Sequence, residues 1–505
     1  MTDKVLTATE IETAYPPSGA PPYNFTVSFT EARTAKGRVR WLTVTGADPL
    51  SGSEKTREYQ LLSNEHKSYI RFYASLAEDF GARVPRNSRS FSKPTFRADY
   101  RTLLTENLAP GILYGYGDPA VLRVEDSAGR EDDWYYLVAT SNDAPDSFPI
   151  LRSRDLVKWE FMGFVFPQGK KPAWAADGEM ISDYWAPEMH KMRGEFRVYF
   201  VARHRQTREL CIGMAKSSRP EGPYAGCGEP ILVGNVIDPH VFVENDDKAF
   251  LFWKEDNNGL WPSRLSELLY EHSHLIAELF PQREDQVTAS FLHAIWQWAK
   301  ATEPMELFFI QQPLIEAVTV NFSDFYERLK AMRDREGDAR VRDNLQSVLD
   351  VMRTPIYAQE LSPDGARLVG GRKKIIENDQ PWEAHLVEGI WVTKQGRKYY
   401  LFYAGNDFST DQYGIGVAIA DDPRGPYSKV PGPFLSSTSE WAGPGHPSVV
   451  TGPDGKPELF LHAFFRGRSG YKEFRVLLAA PIEFREDRVV LRKAGLLSPL
   501  QPAPF

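Results

Sequence analysis

The sequence predicts a mainly β fold: a five-bladed β-propeller with an α-helical insertion and a small N-terminal α+β region. Three observations predict it. From about residue 110 the chain is a series of short, alternating, aromatic-rich runs separated by turn signals such as "SPDG", "KQG" and "GPDG". Five of the apolar runs open on a related motif, and recurrence at a blade-sized spacing marks a radial repeat. The repeat is interrupted once, by about 90 residues whose apolar positions fall at i, i+3 and i+4.

Taken in order, residues 1–105 are a small α+β region expected to pack on the propeller. "NFTVSF" and "RVRWLTVTG" form a predicted hairpin, "TREYQLLSNEHKSYIRFYASLAEDF" a predicted helix, and "VPRNSRSFSKPTFRADY" a polar linker or extended wrap. Residues 106–260 hold blades one and two and the first part of blade three. The blade openings are "GDPAVLRV" at Asp118, "WAPEMHKM" at Ala186, "IDPHVFVE" at Asp238, "VEGIWVTK" at Glu388 and "GHPSVVTG" at His446. Each leads to an aromatic strand: "DWYYLVAT", "EFRVYFVA", "KAFLFWK", "KYYLFYAG" and "PELFLHAF".

Successive openings lie about 50 to 70 residues apart, except for about 150 between Asp238 and Glu388. The excess is the insertion, residues 261–352, where "SRLSELLYEHSHLIAELF", "DQVTASFLHAIWQWAKA", "FSDFYERLKAMRD" and "RDNLQSVLDVM" read as helices. Residues 353–505 complete blade three and supply blades four and five. The insertion follows the second strand of blade three, which returns to the face where the first strand begins. It is therefore expected on the face carrying the openings, either as a cap or as a dimerisation or stabilising element.

Composition fits this reading. Of 505 residues 42% are apolar and 13% aromatic, and the 37 Gly and 37 Pro are scattered, as many tight turns require. A net charge of −8 without a basic stripe argues against nucleic acid or an anionic membrane as partners. Cys211 and Cys227 cannot build a disulfide framework and have no metal-knuckle spacing, so buried thiols are expected. The first residues show no apolar core of signal-peptide length, and no stretch is long enough to span a bilayer. A cytoplasmic location is expected, although a trimmed leader would leave the same sequence.

The candidate chemistry lies in the openings. Inner strands of a propeller run radially round a channel, so Asp118, Asp238 and Glu388, read as equivalent positions in blades one, three and four, converge on one pocket. Pro119 and Pro239 are expected to keep the preceding aspartates extended, and Gly117 to admit close approach of backbone or ligand. A single Asp-Pro is ordinarily a turn device. Three carboxyls at corresponding positions cost repulsion and desolvation, which points to metal binding or to acid/base attack on a glycosidic bond.

"GYGDPAV", "WAPEMH", "VIDPHVF", "HLVEGIWVTKQGRKYYLFYAGN" and "GPGHPSVV", in this order, resemble glycoside hydrolase family 43, five-bladed propeller enzymes that cleave arabinose, xylose and related sugars. The resemblance covers roughly residues 105 to 500 outside the insertion. It implies Asp118 as the general base that activates water, Glu388 as the general acid, and Asp238 as the carboxylate that orients the acid and tunes its pKa. It also implies inversion, with base and acid roughly 6.5–9.5 Å apart. Trp185 is implied as a wall of the sugar pocket, against a plain core role. Arg475 is implied to hydrogen-bond the sugar near the carboxylates, against a surface salt bridge. His446 would point into the channel, where the resemblance implies a hydrated structural calcium, against a structural histidine. Trp174, Phe408 and Trp441 are candidates for sugar stacking. Ile390 stands where the family usually has proline, and Glu188 where aspartate is common.

The expected function is that of an inverting exo-glycosidase releasing terminal pentose from short oligosaccharides, of the α-L-arabinofuranosidase or β-xylosidase type. It needs no cofactor beyond the structural calcium. Alternatives are another propeller glycosidase (galactofuranosidase, galactosidase, fructosidase), a mannoside phosphorylase, or a carbohydrate-binding propeller without catalysis. The "NDPNG" motif of a fructosidase is absent from the sequence. The insertion could also support a homo-oligomer or a scaffold for protein partners.

Overall fold

The computed structural model describes residues 20–492 apart from 35–36, 64, 85–95, 97, 99, 126–132 and 180. The linker predicted over "VPRNSRSFSKPTFRADY" therefore falls largely outside the described residues. The chain forms two compact units, one of residues 93–255, 355–383 and 387–505, the other of residues 1–92, 256–354 and 384–386.

The larger unit is the propeller. Its first four blades are four-stranded antiparallel sheets. Blade one runs through Ala120–Val124, Trp134–Val138, Ser147–Ser153 and Glu160–Phe166, and blade two through Trp185–Met192, Glu195–Arg203, Leu210–Ser217 and Ala225–Gly226. Blade three comprises Val236–Asn245, Lys248–Glu255, Ile356–Leu361 and Leu368–Ile376, and blade four Val387–Gln395, Lys398–Gly405, Gly414–Ala420 and Ser428–Lys429. Blade five has Trp441–Thr451, Pro457–Phe465, Arg475–Arg485 and Arg488–Leu491, and takes Arg101–Leu104 as a fifth strand. That strand precedes blade one in the chain and pairs Leu104 with Leu477, tying the two ends of the ring together.

The first strands of successive blades pack on one another in a closed circle, five back to one. Between blades the sheets bury aromatic and branched residues such as Phe148, Phe166, Tyr184 and Phe200. Such side chains fit a pleated, two-sided surface, which is why the aromatic runs were legible as strands.

The smaller unit holds the three-stranded sheet Thr26–Thr34, Gly37–Ala47 and Glu54–Leu62, the helix His66–Phe80, and the helices of the insertion from Leu260–Glu271 to Ala339–Val351. The N-terminal sheet and helix share a core with the insertion. Phe29 stacks on Trp298 at 4.4 Å, Phe25 meets Phe291 edge-on at 5.7 Å, and Tyr69 lies 5.6 Å from Phe309. Buried polar pairs lock the same contact: Arg83 bonds Asp285, and the Tyr73 hydroxyl donates to the carbonyl of Ile310.

Two local readings change. Residues 54–62 form a third strand, with Tyr59 and Leu61 turned inward, and only His66–Phe80 is helical. The insertion also contains a helix over Pro304–Thr319 that amphipathic spacing did not reveal. Its polar residues Glu306, Gln311, Gln312 and Glu316 are buried and spread round the helix, so no polar face sets a period.

Candidate active site

Each first strand begins with a distorted mouth. Asp118, Ala186, Asp238, Gly389 and His446 take left-handed φ angles of 52°, 42°, 55°, 59° and 50°. The strand register slips at this point in blades two to five. A bulge of this kind bends the strand and re-aims side chains. The aspartates are thus left-handed where the following proline was expected to hold them extended. Asp tolerates this region better than most residues, and at Asp118 the N–H is fixed by donation to His462 Nδ1 at 3.0 Å.

The same comparison corrects the alignment of blade four. Its left-handed residue is Gly389, so Glu388 stands one position before Asp118 and Asp238 in the repeat. It aligns with Gly117, Trp185, Ile237 and Gly445. The three carboxyls still face one another, but Glu388 arrives by a different register.

Asp118 is buried under donors. Arg475 Nη1 donates to both its oxygens at 2.9 and 3.0 Å, Thr140 Oγ1 donates to Oδ2 at 2.5 Å, and His446 Nδ1 lies 3.3 Å from Oδ1. Burial alone would raise its pKa, but the Arg475 guanidinium, with His446 beside it, holds the carboxyl well below the usual carboxylate range. Arg475 is locked by its backbone, which exchanges hydrogen bonds with Tyr114 and Tyr116 at 3.1 and 2.8 Å. Gly117 serves this contact: a Cβ there would lie 1.8 Å from Arg475 Cζ. The close approach expected at Gly117 is that of a guanidinium.

Glu388 has the opposite surroundings. Its Oε1 accepts from the Tyr413 hydroxyl at 2.9 Å, and its Oε2 is 3.2 Å from Lys254 Nζ. Burial raises its pKa, Lys254 draws it down and the Asp238 charge raises it, leaving the group pushed up to about 7. Asp238 Oδ2 accepts the N–H of Gly389 at 2.7 Å, which ties the peptide after Glu388 to blade three. His446 Nδ1 lies 3.9 Å from Asp238, so the imidazole stands between the two aspartates.

The other predicted residues separate. Trp185 opens blade two, partly buried against Val201, Leu210 and Ile237. Trp174 is a core residue: it is buried and stacked on Phe200 and His204, and Gly213 is small to admit it. Trp441 is likewise buried, against Phe465. Phe408 is half-buried in the loop between the second and third strands of blade four.

Glu188, His190 and His240 form a second buried cluster, whose ligand atoms lie within 4.8 Å of one another. Its hydrogen bonds decide its chemistry. Val392 N–H donates to His240 Nε2 at 2.9 Å, so the ring proton is on Nδ1 and is donated to Glu188 at 2.8 Å. Burial pushes His240 down to about 3, which keeps the ring neutral. His190 approaches the same Glu188 oxygen at 2.9 Å. Calcium takes six to eight oxygen ligands. This set offers one carboxylate whose oxygen is already shared by two imidazoles, so these residues do not fit the ion as direct ligands. The cluster instead staples blades two, three and four together.

Sequence reasoning missed Lys254, Tyr413, Thr140 and His462. Two left a trace: a lysine ends the apolar run "KAFLFWK", and a histidine interrupts "LFLHAF". Thr140 and Tyr413 lie just beyond strand ends, where nothing local marks them.

The chain is similar to several known proteins. The sequence profile described as "Glycosyl hydrolases family 43" matches residues 112–291 and 346–490. "Xylosidase/arabinosidase 43A" of Humicola insolens is 38% identical over 81 residues, 16% of this chain and 23% of that protein. "Beta-xylosidase" of Xylanibacter ruminicola is 33% identical over 121 residues, 23% of this chain and 36% of that protein. The chain thus spans well under half the length of either relative. A crystal structure of a thermostable family-43 glycoside hydrolase superposes with a TM-score of 0.51 at 24% identity, covering 78% of this chain and 97% of that one.

Proposed function

The chain belongs to family 43 of the glycosyl hydrolases, whose profile matches well over half its length, and from that premise we propose that it hydrolyses terminal pentosides of the α-L-arabinofuranoside or β-D-xyloside type with inversion. Asp118 is the base that takes a proton from water, Glu388 the acid that protonates the leaving oxygen, and Asp238 the group that ties the acid's peptide and supports its proton affinity. The observation that carries this is the contrast between two buried carboxyls, one clamped by a guanidinium and one facing a tyrosine and a lysine. Environments that push two carboxyls apart assign the acid and the base. Both proton transfers are made by side chains of this chain.

In the first step water attacks the anomeric carbon from the side of Asp118, which accepts its proton. Glu388 gives its proton to the departing oxygen as the glycosidic bond breaks. The products are a sugar of inverted configuration and an alcohol, and the two carboxyls have exchanged protonation states. Solvent exchange then restores them. The xylosidase and arabinosidase names of the relatives support a pentose as the sugar. A relative named "Beta-D-galactofuranosidase xynD", from Aspergillus niger and 35% identical over 115 residues, makes a galactofuranoside the second substrate to try.

The test is a panel of p-nitrophenyl glycosides (α-L-arabinofuranoside, β-D-xyloside, β-D-galactofuranoside, β-D-galactoside) with the wild type and Glu388→Ala. Activity on a pentoside is expected, falling by up to roughly 10²–10⁴-fold in the variant, with the loss softened by the good p-nitrophenol leaving group. Proton NMR of the first-formed anomer reads the stereochemistry. A panel without turnover, or a Glu388→Ala enzyme as active as the wild type, would overturn the proposal.

A further inference from the structure

Lys254 is the penultimate residue of the second strand of blade three, directly opposite Ile237 and so beside the mouth at Asp238. Its side chain is wholly buried, with Nζ 3.2 Å from Glu388 Oε2. Burying an ammonium and a carboxyl costs both their hydration, and an apolar pair of similar volume is often as stable or more so. Stability therefore gives little reason to keep this lysine. Chemistry gives a stronger one, because a fixed positive charge lies against the oxygen on which negative charge appears when the acid gives up its proton.

We propose that Lys254 is a positioning residue for the reaction, holding Glu388 Oε2 and stabilising the carboxylate that forms as the proton leaves. The proposal rests on Glu388 being the general acid. The groups facing Glu388 are Lys254 and Asp238 from blade three and Tyr413 from the loop of blade four; Asp118 and His446 stand behind them. Tyr413 supplies one hydrogen bond to Oε1, and its ring is seated where a Cβ on Gly445 would collide with it at 1.8 Å. One oxygen is thus oriented by a neutral hydroxyl and the other by a charge. Asp238 acts against Lys254: it favours the protonated acid, while Lys254 favours its release. Interactions that strengthen only as charge develops act on the rate.

The sign of the effect follows. Activity falls on the alkaline side as Glu388 loses its proton. An opposite charge within about 4–6 Å lowers a carboxyl pKa by roughly 1–3 units. Lys254→Met should therefore move the alkaline limb of kcat/KM upward by about 1–3 pH units. It should also slow cleavage of poor leaving groups more than of p-nitrophenol, because the acid is weaker. Lys254→Arg keeps the charge and should keep the limb.

A ¹³C-carboxyl titration of Glu388 in wild type and variants needs no substrate and should move in the same direction. Lys254→Gln replaces the methionine variant if that one does not fold. A folded variant whose limb and carboxyl midpoint stay in place, or move down, overturns the role of Lys254. If the wild type turns over no glycoside, the functional reading fails instead, and the titration alone still decides whether Lys254 controls Glu388.

Discussion

Arg475 and Asp118 show how much of this site is set by single side chains. The guanidinium is buried, meets both carboxylate oxygens, and fits only because position 117 carries no Cβ. Breaking one side of a buried ion pair costs about 3–5 kcal/mol, since the other charge stays behind. Arg475→Met should therefore lower stability strongly at pH 7. The pH dependence follows from the depressed pKa of Asp118. Its contribution is present above the unfolded aspartate value and is lost as the pH falls below it. The gap between wild type and variant should narrow from pH 7 toward about 4, as the stranded Asp118 takes up a proton in the variant. Thermal melts at several pH values measure this; a constant gap would mean that Arg475 acts through packing alone. In kcat/KM the same variant should move the acid limb upward, because the base then protonates at higher pH. Asp118, Asp238 and Glu388 were legible because each opens an apolar run. Tyr413 was not, because its approach depends on a missing side chain at Gly445 in another blade.

At the scale of the element, the bulged strand mouth is the working unit. Five such mouths, each with one left-handed residue, turn consecutive side chains toward the channel and supply hydrogen bonds between blades. Thr140 Oγ1 accepts from Ala186 N–H at 2.7 Å while donating to Asp118, so blade two's mouth is braced by the residue that holds blade one's base. Gly389 is the glycine of the set, and its surroundings show why. Its left-handed φ of 59° comes with a place for Cβ only 3.0 Å from the His446 Cα. Gly389→Ala should cost roughly 1–3 kcal/mol from backbone strain and push blades four and five apart at their mouths. Because its N–H anchors Asp238 and Glu388 precedes it, activity should fall by more than the loss of folded protein explains. Kinetics on protein shown folded by circular dichroism separate the two. The mouths as motifs were plain in the sequence, but the bulge was not. Proline after the acidic residue suggested extended backbone, and only the pairing with the neighbouring strand shows which residue carries the turn. The slip of one position at Glu388 has the same origin. The helix Pro304–Thr319 escaped for a different reason, since its polar residues gather on no single face and leave periodicity nothing to detect.

At the scale of the whole molecule, two chain segments far apart in sequence build one unit. Residues 1–92 and 256–354 share a core, while the propeller is assembled from what lies between and after them. The ends of the insertion are adjacent: Lys254 pairs with Ile356, and Glu255 N–H reaches the Pro355 carbonyl at 3.4 Å. A short turn could therefore join Glu255 to Pro355 and restore an ordinary hairpin. No helix among the described residues is long and apolar enough to cross a membrane. Removing residues 1–92 alone should strip Phe25, Phe29 and Phe72 from Phe291 and Trp298, at roughly 1.5–3 kcal/mol for each aromatic residue lost. That truncation should aggregate. Removing residues 1–92 together with 256–354 should leave a propeller that is monomeric by gel filtration and melts cooperatively. Its activity should still fall, because residues 384–386, separated from Glu388 by Val387 alone, belong to the excised unit's packing: Thr354 Oγ1 donates to the His385 carbonyl at 3.0 Å, and Trp261 meets the His385 ring at 5.8 Å. A double deletion that folds with undiminished kcat/KM would mean that blade four alone holds the acid in place; one that fails to fold would mean that the propeller depends on the second unit for its stability.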